Sequence, residues 1–136
     1  MVRPENISSK IDQLKKNLTY LNKYQQLDFS TILHDSEKLG ACERFLYLAC
    51  QSAIDLAEMI CKKESLPKPE TMSDAFEQLR IAGLIDQELC QVMVQMVGFR
   101  NALSHGYEKF NYQIMEDVLK NRLNSFLKLI KAFEKQ

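Results

Sequence analysis

Apolar residues recur along this chain in alternating steps of three and four, and very little interrupts them. Ile7, Ile11, Leu14, Leu18 and Leu21 form the first such series. Leu39, Cys42, Leu46, Ala49, Ala53, Leu56 and Ile60 form the second, and Ile114, Val118, Leu123, Phe126, Leu127, Ile130 and Phe133 the last. Steps of three and four return a side chain to one face of a 3.6-residue helix, whereas strands need alternation. Only three prolines and four glycines occur among 136 residues, too few for a turn-rich β fold. The pattern predicts an all-α, up-and-down bundle of about five helices in a single domain spanning residues 1–136.

Local signals divide the helices. Pro4 suits the entry to the first, where a missing N–H costs little, and Lys10, Lys15, Lys16 and Lys23 fall largely outside its apolar stripe. Asp28, Phe29 and Ser30 break that pattern. A second helix is expected from about Asp35 to Lys63, ended by a loop in which Pro67 and Pro69 remove backbone donors. Ser73 is the expected cap of a short third helix carrying Phe76 and Leu79 and closed by Gly83. Asp86 is expected to cap a fourth, from about Gln87 to Leu103, with Gly106 marking its end; a fifth begins near Asn111.

Composition excludes several classes of function. Eighteen basic and 18 acidic side chains leave no net charge, so the chain is not a general coat for nucleic acid, and any RNA binding must use a local patch. Cys42, Cys50, Cys61 and Cys90 have neither CxxC pairing nor zinc-like spacing with the two histidines, and read as buried free thiols. No metal and no cofactor is expected. Without a signal-like start or an apolar run near ~20 residues, the chain reads as cytoplasmic, with no membrane partner.

The end of the fourth helix departs from its own pattern. Leu89, Met93 and Met96 are followed on the same seam by Arg100, and then by Leu103. An arginine there either lays its stem along the seam, its head reaching solvent or a carboxylate such as Glu43, or faces a cleft that receives an anion. His105 follows five residues later. It is either a capping or surface group at a negative helix end, or a proton-exchanging side chain. On an uninterrupted helix Arg100 and His105 lie about 140° apart, with Asn101 on the His105 side and Ser104 on the Arg100 side. They converge only if the helix loosens near His105, which Gly106 permits, or if two subunits contribute. Tyr107 is either packed on the next turn or part of the same site.

Arg100-Asn-Ala-Leu-Ser-His105-Gly-Tyr107 resembles the R-x4-H-x-Y signature of HepT-like toxins in the HEPN superfamily. With five arginines, two histidines and five tyrosines, chance produces this spacing roughly once in several hundred shuffles, a moderately specific signal. Cys42–Leu46 with Ala53–Ala57, Asp74–Phe76 with Gly83–Ile85, and the Met96–Asn101 lead-in extend the resemblance over residues 36–133, while the first helix matches only in pattern. The resemblance implies a homodimer with a composite groove, metal-independent RNA cleavage, and a cognate minimal nucleotidyltransferase antitoxin that adenylylates Tyr107. It implies catalytic roles for Arg100 and His105, with Asn101 and Ser104 supporting them, RNA as substrate and no DNA.

Two other functions fit the same residues. In one, the Arg100 groove is a non-catalytic nucleotide- or anion-binding pocket serving a nucleotidyltransferase, which the neutral charge favours. In the other, the chain is a helical scaffold with Arg100 held against a core carboxylate and no cleft at the motif.

Overall fold

The computed structural model describes residues 6–105 and 110–135; Pro4, Gly106 and Tyr107, singled out above, lie outside them. α1 (Ile7–Gln25) starts on a reciprocal cap in which Asn6 Oδ1 accepts from the Ser9 N–H at 2.8 Å. Asp28 opens a short helix, α2 (Phe29–Leu33), where only a break was expected; burying Phe29 and Ile32 stabilises it although its own length does not. Asp35 caps α3 (Ser36–Lys63) by accepting from Glu37 and Lys38.

α4 (Met72–Ile81) begins one turn position earlier than expected. Thr71, not Ser73, is its cap: Thr71 is extended and its hydroxyl accepts from the Asp74 N–H at 3.0 Å, while the Asp74 carboxylate takes the Glu70 N–H. Gly83, at φ +77°, makes the left-handed exit that glycine tolerates. Asp86 caps α5 (Gln87–His105) through the Leu89 N–H at 2.8 Å, and α5 runs two residues beyond the expected Leu103.

The final segment is α6 (Tyr112–Asp117), one π-helical turn (Val118–Arg122) and α7 (Leu123–Phe133), which follow one another without a gap. Val118 to Leu123 is a step of five, which an α-helix cannot keep on one face; the π turn absorbs the extra residue and returns Leu123, Phe126, Ile130 and Phe133 to the core. Leu127 and Ile114, expected on the apolar stripe, are about half exposed. Lys120 ties the turn to the end of α1, donating to the carbonyls of Gln25 and Leu27.

α3 is the central element. α1, α4 and α5 pack directly against it, enclosing a core that includes Leu14, Leu21, Leu46, Leu56, Phe76, Met93 and Phe126. Among the described residues there is no strand, and no helix is long and apolar enough to cross a membrane. One charged side chain among the described residues breaks the expected separation of polar from apolar: Lys10 is only 5% exposed, and its ammonium is met by Asp55 of α3 at 3.3 Å.

All four cysteines are buried free thiols. Burial pushes Cys42 and Cys50 up to about 12 and Cys90 up to about 11. At pH 8 a thiol near 12 is ionised to roughly one part in ten thousand, and the thiolate is the nucleophile. The folded protein is therefore expected to give less than one equivalent of fast reaction with a disulfide reagent at pH 8, rising to four in denaturant. Rapid modification of two or more thiols under native conditions would contradict that burial.

Candidate functional site

The site is built where α3 and α5 meet. On α3, Tyr47, Gln51 and Asp55 follow one another at four-residue intervals, so their side chains share an edge beside the apolar stripe. On α5, Arg100 continues the seam of Leu89, Met93 and Met96, and its half-buried guanidinium reaches across to that polar edge. Nε donates to Gln51 Oε1 at 2.8 Å, Nη1 to Asn101 Oδ1 at 3.0 Å, and Nη2 to the Tyr47 hydroxyl at 3.1 Å. The same guanidinium lies 5.1 Å from the centre of the Tyr47 ring.

All three acceptors are neutral. Among the described residues no carboxylate, Glu43 included, is paired with Arg100, so the cation keeps its charge available. A guanidinium carries five N–H donors; three are engaged, leaving two for an anion, enough for a bidentate phosphate contact. Beside it opens a groove of about 390 Å³, lined by Glu43, Arg44, Tyr47, Leu103 and Ser104. Arg44 stands over the other part of the Tyr47 ring at 5.6 Å. Burial raises the Glu43 carboxyl above its ordinary value.

His105 is elsewhere on α5. It is exposed at the last described residue of the helix, which remains regular through it. At 3.6 residues per turn that regularity keeps Arg100 and His105 about 140° apart, so within one chain they do not attend the same small group. His105 instead shares the outward face of α5 with Gly98 and Ala102. That face borders a second, more apolar cleft of about 510 Å³, whose walls include Phe99, Phe110, Ile114 and Val118. Nothing approaches within 4 Å of where a Gly98 side chain would begin.

The residues named from sequence thus divide. Arg100 and Asn101 are brought together, Ser104 lines the adjoining groove, His105 is on another face, and Tyr107 lies outside the described residues. Tyr47 and Gln51 were missed. Their signal was present in the Tyr47-x3-Gln51-x3-Asp55 spacing, a polar line bordering the apolar stripe of α3. Among the described residues no cluster of three His, Cys, Asp or Glu side chains is placed to hold a metal ion.

Comparison with known proteins gives a consistent result. The family model described as Ribonuclease HepT-like matches residues 11–133. The chain is 33% identical over 85 residues to the mRNA nuclease HepT of Shewanella oneidensis, an alignment covering 62% of this chain and 64% of that protein. It is 28% identical over 107 residues to the tRNA nuclease HepT of Aphanizomenon flos-aquae, covering 79% and 73%. Among solved structures, the tri-AMPylated Shewanella oneidensis HEPN toxin in complex with MNT antitoxin superposes with a TM-score of 0.89 at 26% identity, covering 98% of this chain and 100% of that one.

Proposed function

Because the chain belongs to the Ribonuclease HepT-like family, we propose that it is an endoribonuclease toxin in which Arg100 holds a phosphodiester and His105 moves protons. The observation that carries this is the Arg100 guanidinium, held by three neutral partners with two N–H donors left over, one of those partners, Tyr47, lining the adjoining groove. The reaction is attack of a ribose 2′-oxygen on the adjacent phosphorus. The 2′-O–P bond forms, the P–O5′ bond breaks, and the products are a cyclic phosphate and a free 5′-hydroxyl. One imidazole accepts the 2′-OH proton and another donates a proton to the departing O5′. Arg100 stabilises the extra negative charge on the non-bridging oxygens. No step is assigned to a metal.

One copy does not suffice for this chemistry, since His105 is turned away from its own Arg100 by the regular helix. The reading therefore includes a homodimer in which two α5 helices meet along the Gly98, Ala102 and His105 face. Small residues there allow close approach, and two-fold symmetry repeats each group across the groove. A glutamate at Gly98 fits the isolated chain, whose surroundings there are open, and glutamate is a better helix former than glycine. Gly98→Glu is expected to yield a folded monomer by sedimentation and to lower RNA cleavage at least about ten-fold. A Gly98→Glu protein that remains dimeric and cuts RNA like the parent would remove this interface.

One structural relative is AMPylated and in complex with MNT antitoxin, which supports an antitoxin as partner of this chain. By the motif resemblance, that partner would be a nucleotidyltransferase and Tyr107 the residue it adenylylates. The direct test of the reading is cleavage of a defined RNA by purified protein with EDTA present. The alternative, a non-catalytic nucleotide-binding subunit, is favoured by the absence of net charge. Protein that binds AMP-containing nucleotides but leaves RNA intact at every concentration would decide for it.

A further inference from the structure

The Arg100 guanidinium is the inner end of a line of polar contacts that begins on the opposite side of the bundle. Lys10 of α1 is buried, and its ammonium contacts the Asp55 carboxylate of α3 at 3.3 Å. The other oxygen of Asp55 accepts from Gln51 Nε2 at 2.8 Å, and Gln51 Oε1 accepts from Arg100 Nε at 2.8 Å. Three helices, α1, α3 and α5, each contribute to one continuous path.

We propose that Lys10, Asp55 and Gln51 are positioning residues that fix the plane and direction of the Arg100 guanidinium. The inference rests on the reading of Arg100 as the phosphate-holding group. An amide side chain has a donating and an accepting end, and by itself is free to present either. An ionised carboxylate only accepts, so Asp55 obliges Gln51 to turn its NH2 inward and its oxygen toward α5. That oxygen then takes the single Nε–H of Arg100. Once Nε is held, rotation of the planar group about its last bond is blocked, and the two outer nitrogens are handed to Asn101, Tyr47 and the groove. Lys10 sets a positive charge against the Asp55 carboxylate in a half-buried place, so that neither charge is buried alone. Electrostatic catalysis depends on donors being aimed before the charge develops, so a guanidinium that swings costs rate even when it still binds phosphate.

The test uses the full-length protein and reads the guanidinium directly. The Nε–H resonance of Arg100, assigned by its loss in Arg100→Lys, is expected to be sharp and slow to exchange in the parent. Gln51→Met keeps the volume of the side chain but offers no acceptor. It is expected to broaden that resonance into solvent exchange and to lower kcat about ten-fold, with melting temperature within a few degrees of the parent. Gln51→Glu restores an acceptor and is expected to bring the protected resonance back. Asp55→Asn, which can present either end of its own amide, is expected to lower kcat two- to five-fold. An unchanged resonance in Gln51→Met would overturn the relay. A lost resonance with an unchanged kcat would overturn its role in the reaction, and an Asp55→Asn protein equal to the parent would remove Asp55 and Lys10 from it. If the parent protein does not cut RNA, the proposed function fails instead, while the resonance still judges the relay.

Discussion

Alanine at His105 is expected to lower RNA cleavage by about 10²–10⁴-fold, the range over which a positioned acid–base group contributes. Alanine at Arg100 is expected to do so by about 10²–10³-fold, as losing a donor set for developing charge does. Neither loss should come from unfolding. His105 is exposed at the end of α5, where substitutions are usually close to neutral in stability. Arg100 is half-buried, but its three partners are neutral groups that can be rehydrated, so its removal strands no charge in the core. Both variants should melt cooperatively near the parent temperature, and both should abolish growth inhibition when expressed without an antitoxin. Cleavage at parental rates by both folded variants would show that the chemistry resides elsewhere in the chain.

The same two residues show how far the sequence can be read. The register Leu89, Met93, Met96, Arg100 placed a cation on a core-facing seam, and the structure has it there; what the pattern left open was its partner. A carboxylate and a neutral amide are equally consistent with a helical wheel, because the choice depends on which α3 residue lies opposite, a matter of how two helices pack. Gln51 and Tyr47 were missed for that reason: their spacing along α3 was legible, but not what lies opposite it. The burial of Lys10 was missed for a related one: its helical position borders the stripe, and the Asp55 carboxylate that helps make burial tolerable is 45 residues away. Helix limits were set by local chemistry and were correspondingly legible at Asp35, Gly83 and Asp86. They were less so at α4, where Thr71 and Ser73 are both competent caps and the reciprocal Asp74 to Glu70 contact selects the first. The step of five between Val118 and Leu123 was in plain view, and is the π turn.

Phenylalanine at Tyr107 is expected to leave cleavage intact and to make the toxin resistant to its antitoxin. The argument starts from charge. Adenylylation replaces the phenolic O–H by a phosphodiester, adding an anion of the kind the substrate itself presents. The Arg100 guanidinium retains two donors, and Arg44 adds a second guanidinium at the rim of the same groove, 5.6 Å from the Tyr47 ring. In the proposed dimer, a phosphate tethered two residues from His105 would compete for such cations across the shared groove at a high effective concentration. Each further AMP unit adds another anion, and the structural relative in complex with MNT antitoxin carries three. Co-expression of the parent chain with its antitoxin is therefore expected to add one or more AMP units in an intact-mass measurement and to silence cleavage. Tyr107→Phe under the same conditions should gain no mass, cut RNA at the parental rate, and stop growth despite the antitoxin. If the antitoxin instead silences Tyr107→Phe as completely as the parent, neutralisation acts by covering the groove rather than by filling it with phosphate, and the tyrosine has no part in the control.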